Sequence, residues 1–317
     1  MTDEKKAPIL TITLNPAMDV FVHVNELQPG ALHRTSEFQK SPGGKGINVA
    51  KALNTFGTPV VASGFLGGSN GNWIERQLNQ QQIRTRFVDT SAETRMNIKV
   101  VEAEGQLTEL NSSSPLLTSR DWEHFDHFLE QVPEESSWIA LCGKLPENCP
   151  PNWYEKVINR CKKHGIQTAV DTSGTALKHA VRAKPDFIKP NWEELQELTG
   201  QDLSSKGEVA KAARKIAATG ISTVAVSLGA DGMIIAHKKE TWDVQVPQMD
   251  VISPVGAGDS VVAGFLHGFY HEHSFTGTIR FAAACGAAAV TKEGTTHPER
   301  TDIEPLLSKI IIKKQEA

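Results

Sequence analysis

Apolar residues recur at two spacings along this chain, every second position in some segments and every third or fourth in others. The first spacing is typical of strands and the second of helices, and from residue 119 onward the two alternate. Predicted helices cover residues 119–131, 152–164, 175–182 and 207–218, and predicted strands cover residues 137–142, 167–171, 186–189 and 222–228. This alternation predicts an α/β fold with a mostly parallel sheet and helices on both faces.

The first third of the chain contains strands that do not fit this alternation. Residues 20–24 and 94–100 alternate, and a turn at Glu104-Gly105 returns residues 107–111 as a hairpin. We expect these strands, drawn from about residues 16–38 and 94–111, to form a small separate sheet that acts as a lid. The other elements predicted here are strands over residues 9–14, 59–66 and 86–90, and helices over residues 47–56 and 72–82.

Composition narrows the class of protein. The 317 residues suffice for one large core with an appendage or for two domains, and a net charge of −4 offers no basic excess for nucleic acid or an anionic membrane. The N-terminal residues MTDEKKAP lack the apolar core of a secretion signal, and the apolar run 282–290 is too short to span a bilayer. Four cysteines without a C-x-x-C pair indicate free thiols and a cytoplasmic protein.

The segment from Pro254 to Ser260 carries the clearest chemical signal. Gly256 and Gly258 allow a sharp turn, and a helical pattern begins directly after them. Free N–H groups at a helix N-terminus favour an anion, and Asp259 beside them suits a base that accepts a hydroxyl proton. Asp259 as a simple N-cap is the competing interpretation. A dinucleotide fold is disfavoured because Val261 replaces the third glycine, and no G-x-x-x-x-G-K-[ST] phosphate loop occurs.

A second glycine-rich segment, Gly43 to Gly46, precedes the predicted helix 47–56. Three glycines in four residues exceed what helix capping demands, which indicates backbone close to a ligand. Asn48 would read a hydroxyl from the first turn of that helix, and Lys45 would either meet an anion or point into water.

Further polar residues follow the strands at their carboxyl ends, where ligands bind in parallel sheets. These positions are Gly143-Lys144, residues 171–174, residues 189–191 and residues 227–232. The spacing of Asn191 and Glu194 is typical both of a helix capping box and of oxygen ligands for a hydrated Mg²⁺, and it does not distinguish the two. On the predicted lid, Arg95 has the geometry to grip a phosphate, and Asp19 is either solvated or functional.

Seven segments in this order resemble the PfkB (ribokinase-like) carbohydrate kinases, over about residues 9–296. They are NPAMD, SPGGKGINVAKAL, TRMNIKV, DTSG, KPNWEEL, SLGADGM and SPVGAGDSVVAGF. The resemblance is greatest to the sugar-phosphate branch, which includes kinases of fructose 1-phosphate and of tagatose 6-phosphate. It implies a single kinase domain over residues 1–317, with a Rossmann-like core and a β-sheet lid that often completes a homodimer. It also implies ATP, Mg²⁺ and a sugar phosphate as the bound small molecules.

The resemblance implies specific roles by position. Asp259 would be the catalytic base, with the amides of Gly256, Ala257 and Gly258 as an anion hole. The implied sugar-phosphate contacts are Asp19, Gly43, Gly44, Lys45, Asn48, Arg95 and Lys144. The implied nucleotide contacts are Lys189, Ser227, Leu228, Gly229, Ala230, Gly232, Gly258 and Cys285, and Asn191 and Glu194 would arrange Mg²⁺ through water.

One segment departs from the branch and affects the substrate. Where the branch commonly has Ser-Gly-Ser-Leu-Pro, this chain has Cys-Gly-Lys-Leu-Pro, so Lys144 would either add a phosphate contact or narrow the pocket. Because TRMNIKV followed by TELN is more similar to the fructose 1-phosphate kinases, we expect conversion of fructose 1-phosphate to fructose 1,6-bisphosphate. Tagatose 6-phosphate and fructose 6-phosphate are the alternative substrates. A non-catalytic sugar-phosphate sensor is the alternative of another class, although Gly256, Gly258 and Asp259 are all present.

Overall fold

The computed structural model describes residues 6–35, 38–132, 136–294 and 296–315. Residues 36 and 37 of the predicted lid, and residues 1–5 of the N-terminal segment, lie outside this range. In chain order the elements are β1 (Ile9–Thr13), β2 (Ala17–Val24), β3 (Phe38–Gly43), α1 (Lys45–Thr55), β4 (Val60–Leu66), α2 (Gly68–Gln80), β5 (Arg84–Asp89), β6 (Arg95–Glu102), β7 (Leu107–Asn111), α3 (Ser119–Gln131), β8 (Trp138–Cys142), α4 (Trp153–Lys163), β9 (Gln167–Asp171), α5 (Gly174–Arg182), β10 (Phe187–Ile188), α6 (Trp192–Thr199), α7 (Lys206–Ala217), β11 (Thr223–Ser227), β12 (Met233–His237), β13 (Glu240–Gln245), α8 (Ala257–Tyr270), α9 (Phe275–Ala289), α10 (Arg300–Leu307) and β14 (Ile311–Gln315).

The described residues contain one large sheet, in the order β14-β13-β12-β11-β10-β9-β8-β1-β4-β5. The seven strands from β11 to β5 pair in parallel, so their carboxyl ends lie at one edge of the sheet. The expected mostly parallel α/β sheet is therefore confirmed. The sequence did not predict β12, β13 and β14, which extend the sheet beyond β11 with antiparallel pairing.

The separate small sheet is also present, in the order β3-β2-β6-β7. β6 and β7 form the expected hairpin, and β2 pairs in parallel with β6. β3 corrects the lid boundary predicted at residue 38, because this strand begins at Phe38 and continues to Gly43. β3 pairs with β2, with Ser41 opposite Asp19, so the first residue of the glycine-rich segment, Gly43, belongs to a strand of the lid.

Two apolar layers enclose the large sheet and hold the helices in place. One layer includes α1, α8 and α9, and the other includes α3, α4 and α7. α8 is buried almost all round, and Gly264 in its middle lies so close to α9 that a Cβ there would be 2.6 Å from the Cα of Ala282. This close packing fixes the N-terminus of α8 at the carboxyl edge of the sheet. Among the helices of the described residues, none has the length and apolarity to cross a membrane.

Candidate active site

A cleft of about 690 Å³ lies between the lid and the carboxyl ends of the parallel strands. Most of the residues predicted for a site line it together. They are Asp19, Gly44, Lys45, Asn48, Arg95, Lys144, Lys189, Asn191, Glu194, Ser227, Gly256, Gly258 and Asp259. Residues up to 240 positions apart in the sequence thus line one cavity, and its volume is in the range that binds small molecules.

The N-terminus of α8 forms one wall of the cleft. Gly256 precedes the helix with φ 81°, and a Cβ at this position would meet no atom within 4 Å. No side chain of the described residues caps this end, so the first-turn amides and the positive end of the helix dipole face the cleft. Gly256, and not Asp259, is therefore the N-cap, which removes the simple capping interpretation of Asp259.

Asp259 lies in the first turn of α8 and is 6% exposed. Asn48 on α1 donates a hydrogen bond from Nδ2 to Asp259 Oδ2 at 2.8 Å. Burial raises the pKa of Asp259, and the nearby Asp171 carboxylate adds to the rise, whereas Lys45 opposes it. A held carboxylate with a raised pKa is suited to accept a proton. The Oδ1 atom of Asn48 is buried without a partner in the described part of the chain, so it can accept a ligand hydroxyl.

Two lysines of the cleft share a buried carboxylate that the sequence did not single out as a site residue. Lys45 Nζ lies 3.2 Å from both oxygens of Asp171, and Lys189 Nζ lies 3.6 Å from Asp171 Oδ1. Burial alone would raise the pKa of Asp171, but the two ammonium groups outweigh it and hold the pKa below its usual value. Lys45 therefore neither points freely into water nor stands alone as an anion contact.

The lid contributes a polar row that faces the cleft. Asn97 Nδ2 donates to Asp19 Oδ1 at 2.9 Å, and Lys99 Nζ lies 3.4 Å from Asp19 Oδ2. Arg95 donates to Asn97 Oδ1 at 2.9 Å and to the carbonyl oxygen of Asn15 at 3.2 Å, while its Nε is buried without a partner among the described residues. Sequence reasoning selected Arg95 alone, although the alternation of TRMNIKV already places residues 95, 97 and 99 on one face.

The glycines at the start of α1 lie in close packing with β1 and with the lid. A Cβ on Gly43 would lie 2.4 Å from Asp19 Oδ2, and one on Gly46 would lie 2.4 Å from Thr13 Oγ1. Gly44 has φ 118°, and a Cβ there would lie 2.7 Å from the methyl carbon of Thr13. These glycines let α1 begin against β1 and the lid, which brings Asn48 into the cleft. Gly43 itself does not line the cleft, so its predicted ligand contact is replaced by a contact with Asp19.

Asn191 and Glu194 form a reciprocal capping box at the start of α6. Asn191 Oδ1 accepts from the Glu194 amide at 2.7 Å, and Glu194 Oε2 accepts from the Asn191 amide at 2.8 Å. The capping interpretation is therefore realised, and both side chains also line the cleft. Within the described residues no group of three or more His, Cys, Asp and Glu side chains is placed to hold a metal ion. A cation here would keep most of its water, as Mg²⁺ does beside phosphates.

The predicted nucleotide residues divide into three groups. Lys189, Ser227 and Gly258 line the cleft, while residues 228–232 follow β11 in a turn beyond its lining. A Cβ on Gly229 would meet no atom within 4 Å, but one on Gly232 would lie 1.9 Å from the carbonyl oxygen of Val244, so Gly232 serves packing against β13. Cys285 is a correction. It is 0% exposed inside α9, and its side chain packs in the apolar core rather than against a ligand.

Comparisons with known proteins agree with this arrangement. The model of the pfkB family carbohydrate kinases matches residues 10–302. A 1-phosphofructokinase of Haemophilus influenzae is 34% identical over 307 residues, covering 96% of this chain and 98% of that protein. A 1-phosphofructokinase of Bacillus subtilis is 36% identical over 287 residues, covering 90% of this chain and 93% of that protein. The solved structure of phosphofructokinase-2 from Escherichia coli with substrates and products has a TM-score of 0.90 at 30% identity, covering 95% of this chain and 99% of that chain.

Proposed function

The chain belongs to the PfkB family of carbohydrate kinases, and on that basis we propose that it phosphorylates fructose 1-phosphate with ATP to give fructose 1,6-bisphosphate. Membership of this family makes it a phosphotransferase that acts on a sugar hydroxyl. The choice of substrate is supported by the two similar 1-phosphofructokinases. The observation that carries the proposal is the buried Asp259 carboxylate beside the uncapped N-terminus of α8, in a cleft that the lid covers.

Asp259 takes the proton of the accepting sugar hydroxyl in this proposal. The hydroxyl lies between the carboxylate and the first-turn amides of α8, which stabilise the negative charge on the transferring phosphoryl group. Asn48 holds the carboxylate through Oδ2 and offers its own Oδ1 to the sugar. General-base help of this kind contributes about 10²- to 10⁴-fold in rate. Placement of the two reactants supplies much of the remainder.

ATP and Mg²⁺ would bind at the end of the cleft nearest β11 and α6. Ser227 and Lys189 would contact the nucleotide, and the open space beside Gly229 and Gly256 leaves room for it. Glu194, which uses only Oε2 in the capping box, would hold Mg²⁺ through water with its other oxygen. Bound Mg²⁺ would neutralise part of the phosphate charge.

The lid end of the cleft would hold the sugar phosphate. Asp19 and Asn97 present oxygen and nitrogen atoms to sugar hydroxyls, and Arg95 would contact the phosphate already on the sugar. Lys144 is exposed at the cleft wall. Three hydrogen bonds fix the neighbouring Gly143 backbone: its amide donates to the Asp171 carbonyl, and its carbonyl accepts from Thr172 Oγ1 and from Tyr154 OH. The backbone next to Lys144 is therefore fixed, and its exposed side chain would be able to reach a second phosphate contact.

The lid would also form a homodimer. Phe38 and Leu110 are 63% and 57% exposed, and the strand register places them on the same face of the small sheet, opposite the face of Asp19. Exposed apolar residues on one sheet face are typical of an interface. Analytical ultracentrifugation tests this, with Phe38→Asp expected to give monomers and Ile311→Asp, at the far edge strand, expected to leave the dimer intact. A wild-type monomer at micromolar concentration would contradict it.

A coupled ADP-release assay on fructose 1-phosphate, fructose 6-phosphate and tagatose 6-phosphate tests the proposed reaction. We expect the highest kcat/KM with fructose 1-phosphate. A higher value with either 6-phosphate would reassign the substrate, and binding without ADP release would identify a sensor. The cytoplasmic location expected from the sequence remains part of the proposal.

A further inference from the structure

Asp171 is the most deeply buried acid of the site and has no role in the reaction described above. It ends β9 at the carboxyl edge of the sheet and is 1% exposed. It does not line the cleft, so it lies behind the residues of the cleft wall. Its two oxygens receive the ammonium groups of Lys45 and Lys189, which come from different segments of the chain.

The two lysines come from different parts of the cleft wall, and their ammonium groups converge on Asp171 Oδ1. Lys45 begins α1, next to Gly44 and three residues before Asn48, two residues that the resemblance assigns to the sugar. Lys189 follows β10 and is 4% exposed, and a Cβ on Gly258 would lie 3.3 Å from its Nζ. Lys189 therefore lies directly against the first turn of α8, where the transferring phosphoryl group would be held.

From this geometry we infer that Asp171 is a positioning residue that couples the sugar-phosphate and nucleotide ends of the cleft by fixing Lys45 and Lys189 with one carboxylate. Without this anion, two ammonium groups confined in a small volume would repel each other and move apart. With it, both ammonium groups are held in place before the phosphates bind, so no reorganisation is required at that step. The inference rests on the proposed function for the identity of the two ends.

Other charged groups around Asp171 agree with a positioning role. Asp259 on α8 and Glu194 on α6 act with Asp171 to hold the pKa of Lys45 above its usual value, against the opposing effect of burial. Cys142 on β8 is fully buried beside the same cluster, and burial raises the pKa of its thiol, so it adds no charge. Two ammonium groups already occupy the Asp171 oxygens, which disfavours direct contact with a divalent cation.

Double-variant cycles test the coupling. We expect Asp171→Asn to lower kcat/KM for fructose 1-phosphate, and to weaken ATP binding measured by isothermal titration, each on the order of 10²-fold, because misplaced groups lose orientation. In a Lys45→Met background, the fold-loss of kcat/KM for fructose 1-phosphate caused by Asp171→Asn should be smaller by roughly 5-fold or more. In a Lys189→Met background, the fold-loss of ATP affinity caused by Asp171→Asn should be smaller by a similar factor. Asp171→Glu, which keeps the charge, should recover part of the ATP affinity.

Asp186→Asn is the matched control for general destabilisation. Asp186 lies at the opposite end of the same strands and accepts a hydrogen bond from the Thr168 amide at 2.8 Å, so its loss should lower thermal stability and leave both substrate parameters unchanged. If Asp171→Asn does not fold, Asp171→Asn/Lys45→Met restores the charge balance and is compared with Lys45→Met alone.

Strictly additive effects in both cycles would overturn the inference. Recovery of Asp171→Asn by raised Mg²⁺ concentration would also overturn it, since that result would identify a metal contact. The cycle on ATP affinity is measured by titration and needs no turnover. Failure of the proposed reaction would appear as a wild-type protein without kinase activity. Failure of this inference would appear as additive effects of Asp171→Asn and Lys189→Met on ATP affinity.

Discussion

Replacing Asp259 with asparagine isolates the proton-accepting role from the fold. Asp259 is 6% exposed and accepts one hydrogen bond from Asn48 at 2.8 Å. The amide oxygen of Asp259→Asn can accept the same hydrogen bond, and the side-chain volume is nearly unchanged. Because burial raises the pKa of Asp259, the ionised carboxylate is costly in the folded state at neutral pH. The variant should therefore be at least as stable as the wild type in thermal unfolding at pH 7.

The loss of rate follows from the missing base. General-base catalysis contributes about 10²- to 10⁴-fold, which corresponds to about 2.7–5.4 kcal/mol of transition-state stabilisation. The amides at the N-terminus of α8 are unchanged, so the KM for ATP should stay within about twofold. The wild-type pH profile should show an acid limb above the ordinary aspartate pKa, because protonation of Asp259 on acidification removes the base.

A coupled assay of ADP release, with protein concentration corrected for folded fraction, measures these values. The reasoning predicts a fall in kcat of about 10²-fold or more, without the acid limb in what remains. A fall of less than about threefold, or an acid limb that survives Asp259→Asn, would show that another group accepts the proton.

Four further expectations follow from the same geometry. Arg95→Ala should raise the KM for fructose 1-phosphate by about 10- to 150-fold, since a hydrogen bond to a charged group contributes about 1.5–3 kcal/mol, and an unchanged KM would exclude Arg95 as the phosphate contact. Lys144→Ser should raise the same KM by at most about fivefold because Lys144 is exposed, whereas a lower KM would show that Lys144 narrows the pocket. Gly64→Ala should destabilise the fold by about 3 kcal/mol or more in urea unfolding. Gly64 has φ 143°, and a Cβ there would lie 1.8 Å from the carbonyl oxygen of Thr13. A loss below about 1 kcal/mol would refute that clash. Burial beside other histidines lowers the pKa of His267 to about 3. The unfolded chain therefore binds more protons than the folded chain between about pH 6.5 and pH 3, and the free energy of unfolding should fall on acidification through that window. His267→Asn should reduce the slope of unfolding free energy against pH by about one proton, and an unchanged slope would contradict this.

Local patterns were sufficient for the loop before α8 and for the parallel part of the large sheet. Gly256, Gly258 and the helical repeat after them determine an uncapped helix N-terminus with Asp259 in its first turn, and all of these are neighbours in sequence. Strand and helix alternation likewise predicted the parallel sheet. Its antiparallel end and α9 were not predicted, because a short strand such as β12 resembles other apolar runs, and a helix buried on all sides lacks amphipathic periodicity.

Contacts between distant segments could not be read from local spacing. Asp171 and Lys45 are 126 positions apart, and Asn48 and Asp259 are 211 positions apart. Lys45, Asn48 and Asp259 were each selected singly as candidates, but their pairing with one another and with Asp171 was not. The same limit explains Cys285, for which the resemblance implied a nucleotide contact by position in the chain although the tertiary packing buries its side chain. The glycines before α1 were recognised as unusual, but only the fold shows that Thr13 and Asp19 require them.

Phosphorus-31 NMR of fructose 1-phosphate with ATP and Mg²⁺ tests the central claim most directly, because it identifies which oxygen receives the phosphoryl group. We expect the wild-type protein to produce fructose 1,6-bisphosphate and ADP in equal amounts, and Asp259→Asn at the same concentration to produce both about 10²-fold or more slowly. Formation of ADP without a second sugar phosphate, or equal progress by the two proteins, would contradict it.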